Sequence, residues 1–183
     1  MRIILLAGVI GSGKSFYANQ YKQEHPEEKV VCLNFAASLR DIVEGMYNIP
    51  KGDEQAYTEW KSKPENRKLM VDLGRELKRV YGDDFFAEKV ADTIFNDMDT
   101  CETKDTYIIS DFRFPIEFWT MLQAFSNNLQ IIFCNYKSDR YELRPEQVSE
   151  QMAIWLLGKG IEDRTELGVG FFAELMKEYE SLR

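Results

Sequence analysis

Hydrophobic positions fall along this chain in two rhythms, short unbroken runs and stretches where they recur every three or four residues, and the alternation predicts its elements. Ile3 to Ala7, Val30 to Leu33, Tyr107 to Ile109 and Leu129 to Cys134 are apolar runs of the kind found in strands buried on both faces. Between and after them the spacing turns helical: Phe16 to Glu24; Leu39, Ile42, Val43 and Met46; Leu69, Leu73, Leu77 and Val80, opened by Pro64 and closed before Gly82. Asp83 or Asp84 can cap the next helix, whose Ala87, Val90, Ala91, Ile94 and Phe95 are expected to face the core. Pro115 opens a helix carrying Phe118, Trp119, Leu122 and Phe125; Val148, Met152, Trp155 and Leu156 mark another; Phe172, Leu175, Met176, Tyr179 and Leu182 line a last one. Residues 48–63 are polar and interrupted by Pro50 and Gly52, and read as a loop or short irregular helix over the surface. A strand near 160–163 is weakly signalled.

Strands alternating with helices predict an α/β fold: a parallel sheet of about five strands with helices on both faces, and a ligand at the carboxyl ends of the strands. The first strand ends in Gly8-Val9-Ile10-Gly11-Ser12-Gly13-Lys14-Ser15, the phosphate-loop pattern in its proper setting of strand before and helix after. Glycines at 8, 11 and 13 let backbone N–H groups turn inward toward phosphate oxygens. The following helix adds its N-terminal N–H groups, Lys14 can reach the β- and γ-phosphates, and the Ser15 hydroxyl is placed for Mg²⁺. Gly8, Gly11, Ser12, Gly13, Lys14 and Ser15 are therefore the expected nucleotide-binding residues of a P-loop NTPase fold, with ATP and Mg²⁺ as cofactors.

Composition narrows the ligand. A chain of 183 residues fits a single domain, and its net charge of −8 argues against general binding to nucleic acid or to a membrane surface. The apolar N-terminal run ends in the phosphate loop rather than a cleavage site, and no later stretch approaches the ~20 apolar residues that cross a bilayer. Cys32, Cys101 and Cys134 are few and widely spaced, which suits a reduced, cytoplasmic setting. The lone histidine, His25, reads as an exposed residue at a helix end, so a zinc site is not expected.

An acidic chain handling two phosphate-bearing substrates must gather positive charge locally. Lys14, Arg67, Arg79, Arg113, Arg140 and Arg144 are the available set, with Arg67, Arg79 and Arg113 assigned to the acceptor phosphate. Asp111, at the end of the third strand, either holds Mg²⁺ with Ser15 or caps a helix; Arg113 either faces the same crevice or the surface.

The stretches Phe35-Ala36-Ala37-Ser38-Leu39-Arg40, Arg67 to Arg79 followed by Asp84-Phe85-Phe86, and Ser110-Asp111-Phe112-Arg113-Phe114-Pro115-Ile116-Glu117 resemble, in content and order, the bacteriophage deoxynucleoside monophosphate kinases. The likeness runs through about the first 120 residues and continues weakly to Gln147-Val148-Ser149-Glu150. It implies an adenylate-kinase-like fold and transfer of the ATP γ-phosphate to a (deoxy)nucleoside monophosphate. It also places Phe35, Arg40, Glu117 and Glu150 at the substrate alongside Arg67 and Arg79, makes Lys14, Asp111 and Arg113 catalytic, and assigns Arg140 and Arg144 to a lid. The acceptor-binding insertion would span about 36–82 and the lid about 136–150; a homodimer stays open. Arg75 stands where the family has threonine, Phe86 where it has tryptophan and Gln147 where it has histidine. Dephospho-coenzyme A kinase chemistry and a noncatalytic nucleotide-binding module are the alternatives.

Overall fold

The apolar runs assemble into one sheet of order β2-β3-β1-β4-β5. The computed structural model describes residues 1–137, 143–144 and 147–182. Its strands are β1 (Arg2–Ala7), β2 (Val30–Leu33), β3 (Thr106–Ile109), β4 (Leu129–Phe133) and β5 (Thr165–Leu167). β1 lies between β3 and β4, parallel to both, with Leu5 opposite Ile109 and Ala7 opposite Phe133. β2 adds a further parallel strand beside β3. The helices are α1 (Lys14–Glu24), α2 (Ala37–Tyr47), α3 (Glu54–Ser62), α4 (Pro64–Tyr81), α5 (Phe85–Asp99), α6 (Pro115–Phe125), α7 (Val148–Gly158) and α8 (Val169–Ser181). None is long and apolar enough to cross a membrane.

The two faces of the sheet are covered unequally. Ile3, Leu5 and Ala7 point into a large core with residues of α2, α4, α5, α6, α7 and α8, whereas Ile4 and Leu6 meet Ala18 and Tyr21 of α1. The period-2 alternation of β1 thus sends one set of side chains under a single helix and the other under most of the protein.

Four expectations need correction. The sheet is not wholly parallel, because β5 runs antiparallel to β4. Arg164 N–H donates to Phe133 O (2.7 Å) where β4 ends, so the chain enters β5 from the carboxyl end of its neighbour and must run back. That strand covers 165–167 rather than 160–163. Residues 48–63 contain a true helix, α3, started by the Asp53 side chain accepting from Ala56 N–H (2.9 Å) and held to the core through Tyr57 and Trp60. On α4, Met70 is buried while Val80 is exposed, and Met46 of α2 and Phe95 of α5 are also exposed. These side chains sit at the rims of their helices, beyond the area that the core covers. Asp84 occupies the N-cap of α5 without a side-chain capping bond. His25 ends α1 and stacks on Tyr21 with ring centroids 4.3 Å apart.

Candidate active site

The crevice at the carboxyl ends of β1, β2, β3 and β4 begins with the phosphate loop between β1 and α1. Gly8 takes φ +149°, and a Cβ there would lie 2.3 Å from Cys134 O and 2.4 Å from Ser12 Oγ, so no side chain fits. Gly13 takes φ +84° as the left-handed residue before α1, with Tyr136 packed directly on it. The loop closes on itself through Ser12 N–H to Val9 O (3.2 Å), and Ser12 is buried. The first N–H groups of α1, from Lys14 onward, have no intrahelical acceptor and face the crevice end of the helix, the usual cradle for an anion.

Lys14 folds back into that cradle. Its ammonium donates to Gly8 O (2.6 Å) and Val9 O (2.7 Å), with Ser12 Oγ at 3.5 Å. Burial, helped by the charge of Arg113, lowers its pKa to about 8 against the opposing pull of Glu150, Cys134 and Asp111. A phosphate taking the place of the two carbonyls would supply the negative charge this ammonium lacks.

Across the crevice, Asp111 follows β3. One of its oxygens accepts from Phe35 N–H (2.7 Å), the other from Ala36 N–H (3.0 Å). It therefore ties the end of β3 to the turn that leads into α2. Burial raises its pKa despite those N–H groups and Arg113. Each oxygen keeps a lone pair, and the Asp111 carboxylate and the exposed Ser15 hydroxyl are each hard-oxygen donors of the kind Mg²⁺ prefers.

Arg113 points into the crevice rather than outward. Its Nη1 donates to Glu150 Oε1 (2.7 Å) and lies 3.5 Å from Ser149 Oγ. Glu150, in the first turn of α7 and buried, uses its other oxygen to accept from Ile10 N–H in the phosphate loop (2.8 Å). Glu117 is also buried and accepts from Arg113 N–H (2.8 Å) and Phe114 N–H (3.0 Å), bracing the turn that presents Arg113. Burial pushes its pKa up to about 8. Both glutamates, expected at the substrate, have their carboxylates occupied by donors of the chain itself.

Three other expected substrate contacts are placed elsewhere. Phe35 is 2% exposed and its ring belongs to the main core; only its backbone meets the crevice, through Asp111. Arg40 bolts α2 to α3, donating to Glu44 (2.5 Å) and Glu54 (2.6 Å) over the Tyr57 ring. Arg79 is exposed on α4 and donates to Glu76 (2.8 Å), as Arg75 does to Asp72 (3.2 Å). Arg67 is exposed near the start of α4, and Arg144 is partly buried ahead of α7. Arg140 lies outside the described residues, as does part of the expected lid.

Two groups escaped the sequence reading. Lys61, an exposed residue in the last turn of α3, lays its ammonium 5.4 Å from the Tyr57 ring centroid; partial desolvation there, then the charges of Arg113, Arg67 and Arg40, lower its pKa against the opposing pull of Asp111. No local pattern singles it out, because residues 48–63 read equally as a loop or a short irregular helix. Beside the phosphate loop, Phe16 and Tyr136 are both exposed and stack with centroids 6.5 Å apart at 24°, and Arg164 sits 5.6 Å from the Phe16 ring. An aromatic immediately after Ser15, pointing away from the α1 core face, was the available signal. A hollow of about 460 Å³ lined by Met1, Arg2, Glu27, Glu28 and Asp105 lies at the amino ends of the strands, far from these groups; its Arg2 and Glu28 already pair with each other.

No protein-family model and no curated protein matches the chain. Among solved structures, it is similar to part of a Pnkp1/Rnl/Hen1 RNA repair complex at 15% identity and TM-score 0.41, with 91% of this chain aligned to 47% of that one. It is also similar to the Mycobacterium tuberculosis APS kinase CysC, as a Cys556Ala mutant, at 15% identity and TM-score 0.37, over 86% of this chain and 96% of that one. The chain thus spans about half the length of the first of these relatives.

Proposed function

We propose that this protein is an ATP-dependent kinase that transfers the γ-phosphoryl group to a (deoxy)nucleoside monophosphate, in the manner of the phage enzymes its motifs resemble. The observation that carries this reading is the convergence, in an acidic chain, of Lys14 from the phosphate loop with Arg113, Lys61 and Arg67 from the facing elements. A single anion would need only the first of these cations; two anions brought together need both sets.

In this reading the triphosphate lies in the cradle of the loop, and Lys14 leaves the Gly8 and Val9 carbonyls for the β- and γ-phosphate oxygens. The exposed Phe16–Tyr136 surface beside Gly13 is available to the base. Lys61 and Arg67 hold the acceptor's monophosphate, and Arg113, between the two, faces the charge that develops on the transferred group. An acceptor phosphate oxygen forms a bond to the γ-phosphorus while the bond to the β–γ bridging oxygen breaks, leaving two diphosphates. The acceptor is already an anion, so no general base is required. Ser15 and Asp111 would hold Mg²⁺, which supplies charge neutralisation on the β- and γ-phosphates.

Initial rates of ADP formation with ATP, Mg²⁺ and a panel of deoxy- and ribonucleoside monophosphates test the proposal. The expected result is a rate stimulated by one or a few monophosphates, with the matching diphosphate as product. ATP binding with no acceptor-dependent ADP would instead mark a noncatalytic nucleotide-binding module.

A further inference from the structure

Glu150 stands 37 residues from Arg113 and 140 residues from Ile10 in sequence, yet its two carboxylate oxygens hold one group from each. Only 2% of its surface is exposed. Burying a carboxylate has a large desolvation cost, offset here by a charge-assisted bond to Arg113 and a backbone N–H. Hydrophobic residues of similar volume would fill such a place at less expense, so the arrangement points to geometry rather than stability as what the carboxylate provides.

The two partners belong to opposite halves of the crevice. Ile10 is in the front of the phosphate loop, ahead of the N–H groups that begin α1, so fastening its N–H fixes the loop without consuming the donors at the helix end. Arg113 is presented by the turn after β3, which Glu117 already braces from beneath through backbone N–H groups. Glu150 supplies what Glu117 cannot, a hold on the guanidinium itself. It sits in the first turn of α7, where its own N–H donates to Gln147 O (2.9 Å) and Gln147 N–H donates to Arg144 O (3.0 Å). The root of the connecting segment that carries Arg144 is thus one hydrogen-bonded step from the latch.

We propose that Glu150 is a positioning residue that sets the Arg113 guanidinium and the phosphate loop at a fixed separation, coupling the acceptor-side cation to the donor-side cradle through the first turn of α7. The inference rests on the kinase reading for its effect on turnover, but the latch itself is a claim about geometry. A structural filler would be replaceable by any side chain that preserves packing. A positioning carboxylate is not replaceable by its own amide, because glutamine keeps one acceptor for Ile10 N–H and turns an NH₂ donor toward Arg113.

The test combines Glu150→Gln, Glu150→Ala, Arg113→Ala and the double variant Glu150→Gln/Arg113→Ala, with turnover expressed per folded molecule. In Glu150→Gln, kcat should fall about tenfold or more while ATP affinity changes less than about threefold, since a guanidinium displaced by an ångström loses its aim without emptying the cradle. On the Arg113→Ala background the same substitution should cost less than about twofold, because the group it positions is already gone. In Glu150→Ala, amide exchange at Ile10 should accelerate about tenfold or more and ATP affinity should fall with it. Wild-type kcat in Glu150→Gln, or an undiminished cost on the Arg113→Ala background, would overturn the proposal. If Glu150→Ala does not fold, the Gln cycle decides alone. If the wild type phosphorylates no acceptor, the kinase reading fails and Ile10 exchange with ATP affinity still decides the latch: unchanged exchange in Glu150→Ala would refute it.

Discussion

In the kinase we propose, the donor and acceptor sides of the crevice rest on the same strand ends but are made of different material. On the donor side the binding surface is backbone: Gly8 with no room for a Cβ, Gly13 turned left-handed, and the opening N–H groups of α1, all within a few residues of chain. On the side proposed for the acceptor it would be side chains from separate elements: Lys61 from α3, which feels the charge of both Arg67 from α4 and Arg113 from the turn after β3. A backbone site is fixed as soon as its own strand, loop and helix form. A side-chain site is fixed only when several helices take the right rotation, and neighbouring carboxylates compete for the same guanidinium groups, as Glu76 does for Arg79.

The two sides should therefore fail differently. Lys14→Ala should reduce turnover by about 10²–10³-fold with little change in thermal midpoint, because in the proposed reaction the ammonium meets transition-state charge, while its bonds in the fold are to loop carbonyls outside the core. Turnover within threefold of wild type would sever the loop from the chemistry.

Glu117 tests the brace between the two sides through pH. Its folded-state pKa of about 8 lies above the ordinary 4.5, so the folded protein binds the proton more tightly. That contribution is complete below about pH 4.5 and is lost as pH rises through about 8, on the order of 5 kcal/mol over the window. Glu117→Gln keeps an acceptor for the N–H groups of Arg113 and Phe114 and carries no charge, so its stability relative to wild type should climb from pH 5 to pH 8.5. Denaturant midpoints at those two values measure it, and a constant difference would mean that Glu117 is ionised in the fold.

Asp111→Asn comes next. The amide offers one acceptor where Phe35 and Ala36 present two N–H groups, so about 1–2 kcal/mol of stability should go, together with a several-fold rise in acceptor KM as the start of α2 loosens. A rise in the Mg²⁺ concentration needed for half-maximal rate would add a metal-holding role; stability loss alone would leave the carboxylate as a tie between β3 and the turn into α2.

Arg79→Lys should do least. An exposed guanidinium paired with Glu76 contributes well under about 1 kcal/mol, so either KM should change less than about twofold. A tenfold rise in acceptor KM alone would return Arg79 to the substrate.

The same division explains what could be read from the sequence. β1, the phosphate loop, β3 and β4 are local patterns: an unbroken apolar run, glycines where φ must be positive, a lysine and a serine at set offsets. Arg113 and Asp111 were placed correctly at the strand end, yet Asp111 turned out to bind backbone 75 and 76 residues away, which no local pattern contains. Phe35, put at the substrate only by the resemblance, keeps its ring in the core, because a matching motif fixes the order of residues and not the direction a side chain faces. α3 is only half legible, as a loop or a short helix, because Tyr57 and Trp60 alone carry its apolar face, and Lys61 has no signal of its own. The direction of β5 depends on where α7 returns the chain, a tertiary fact.

The most direct test of the two-sided crevice is Lys61→Ala, with both substrates varied in steady-state kinetics. The expected result is an acceptor KM raised about tenfold with ATP KM unchanged, since Lys61 belongs to the side-chain half alone. Equal effects on the two substrates, or none on either, would contradict the division of the site between a backbone cradle and a wall of converging cations.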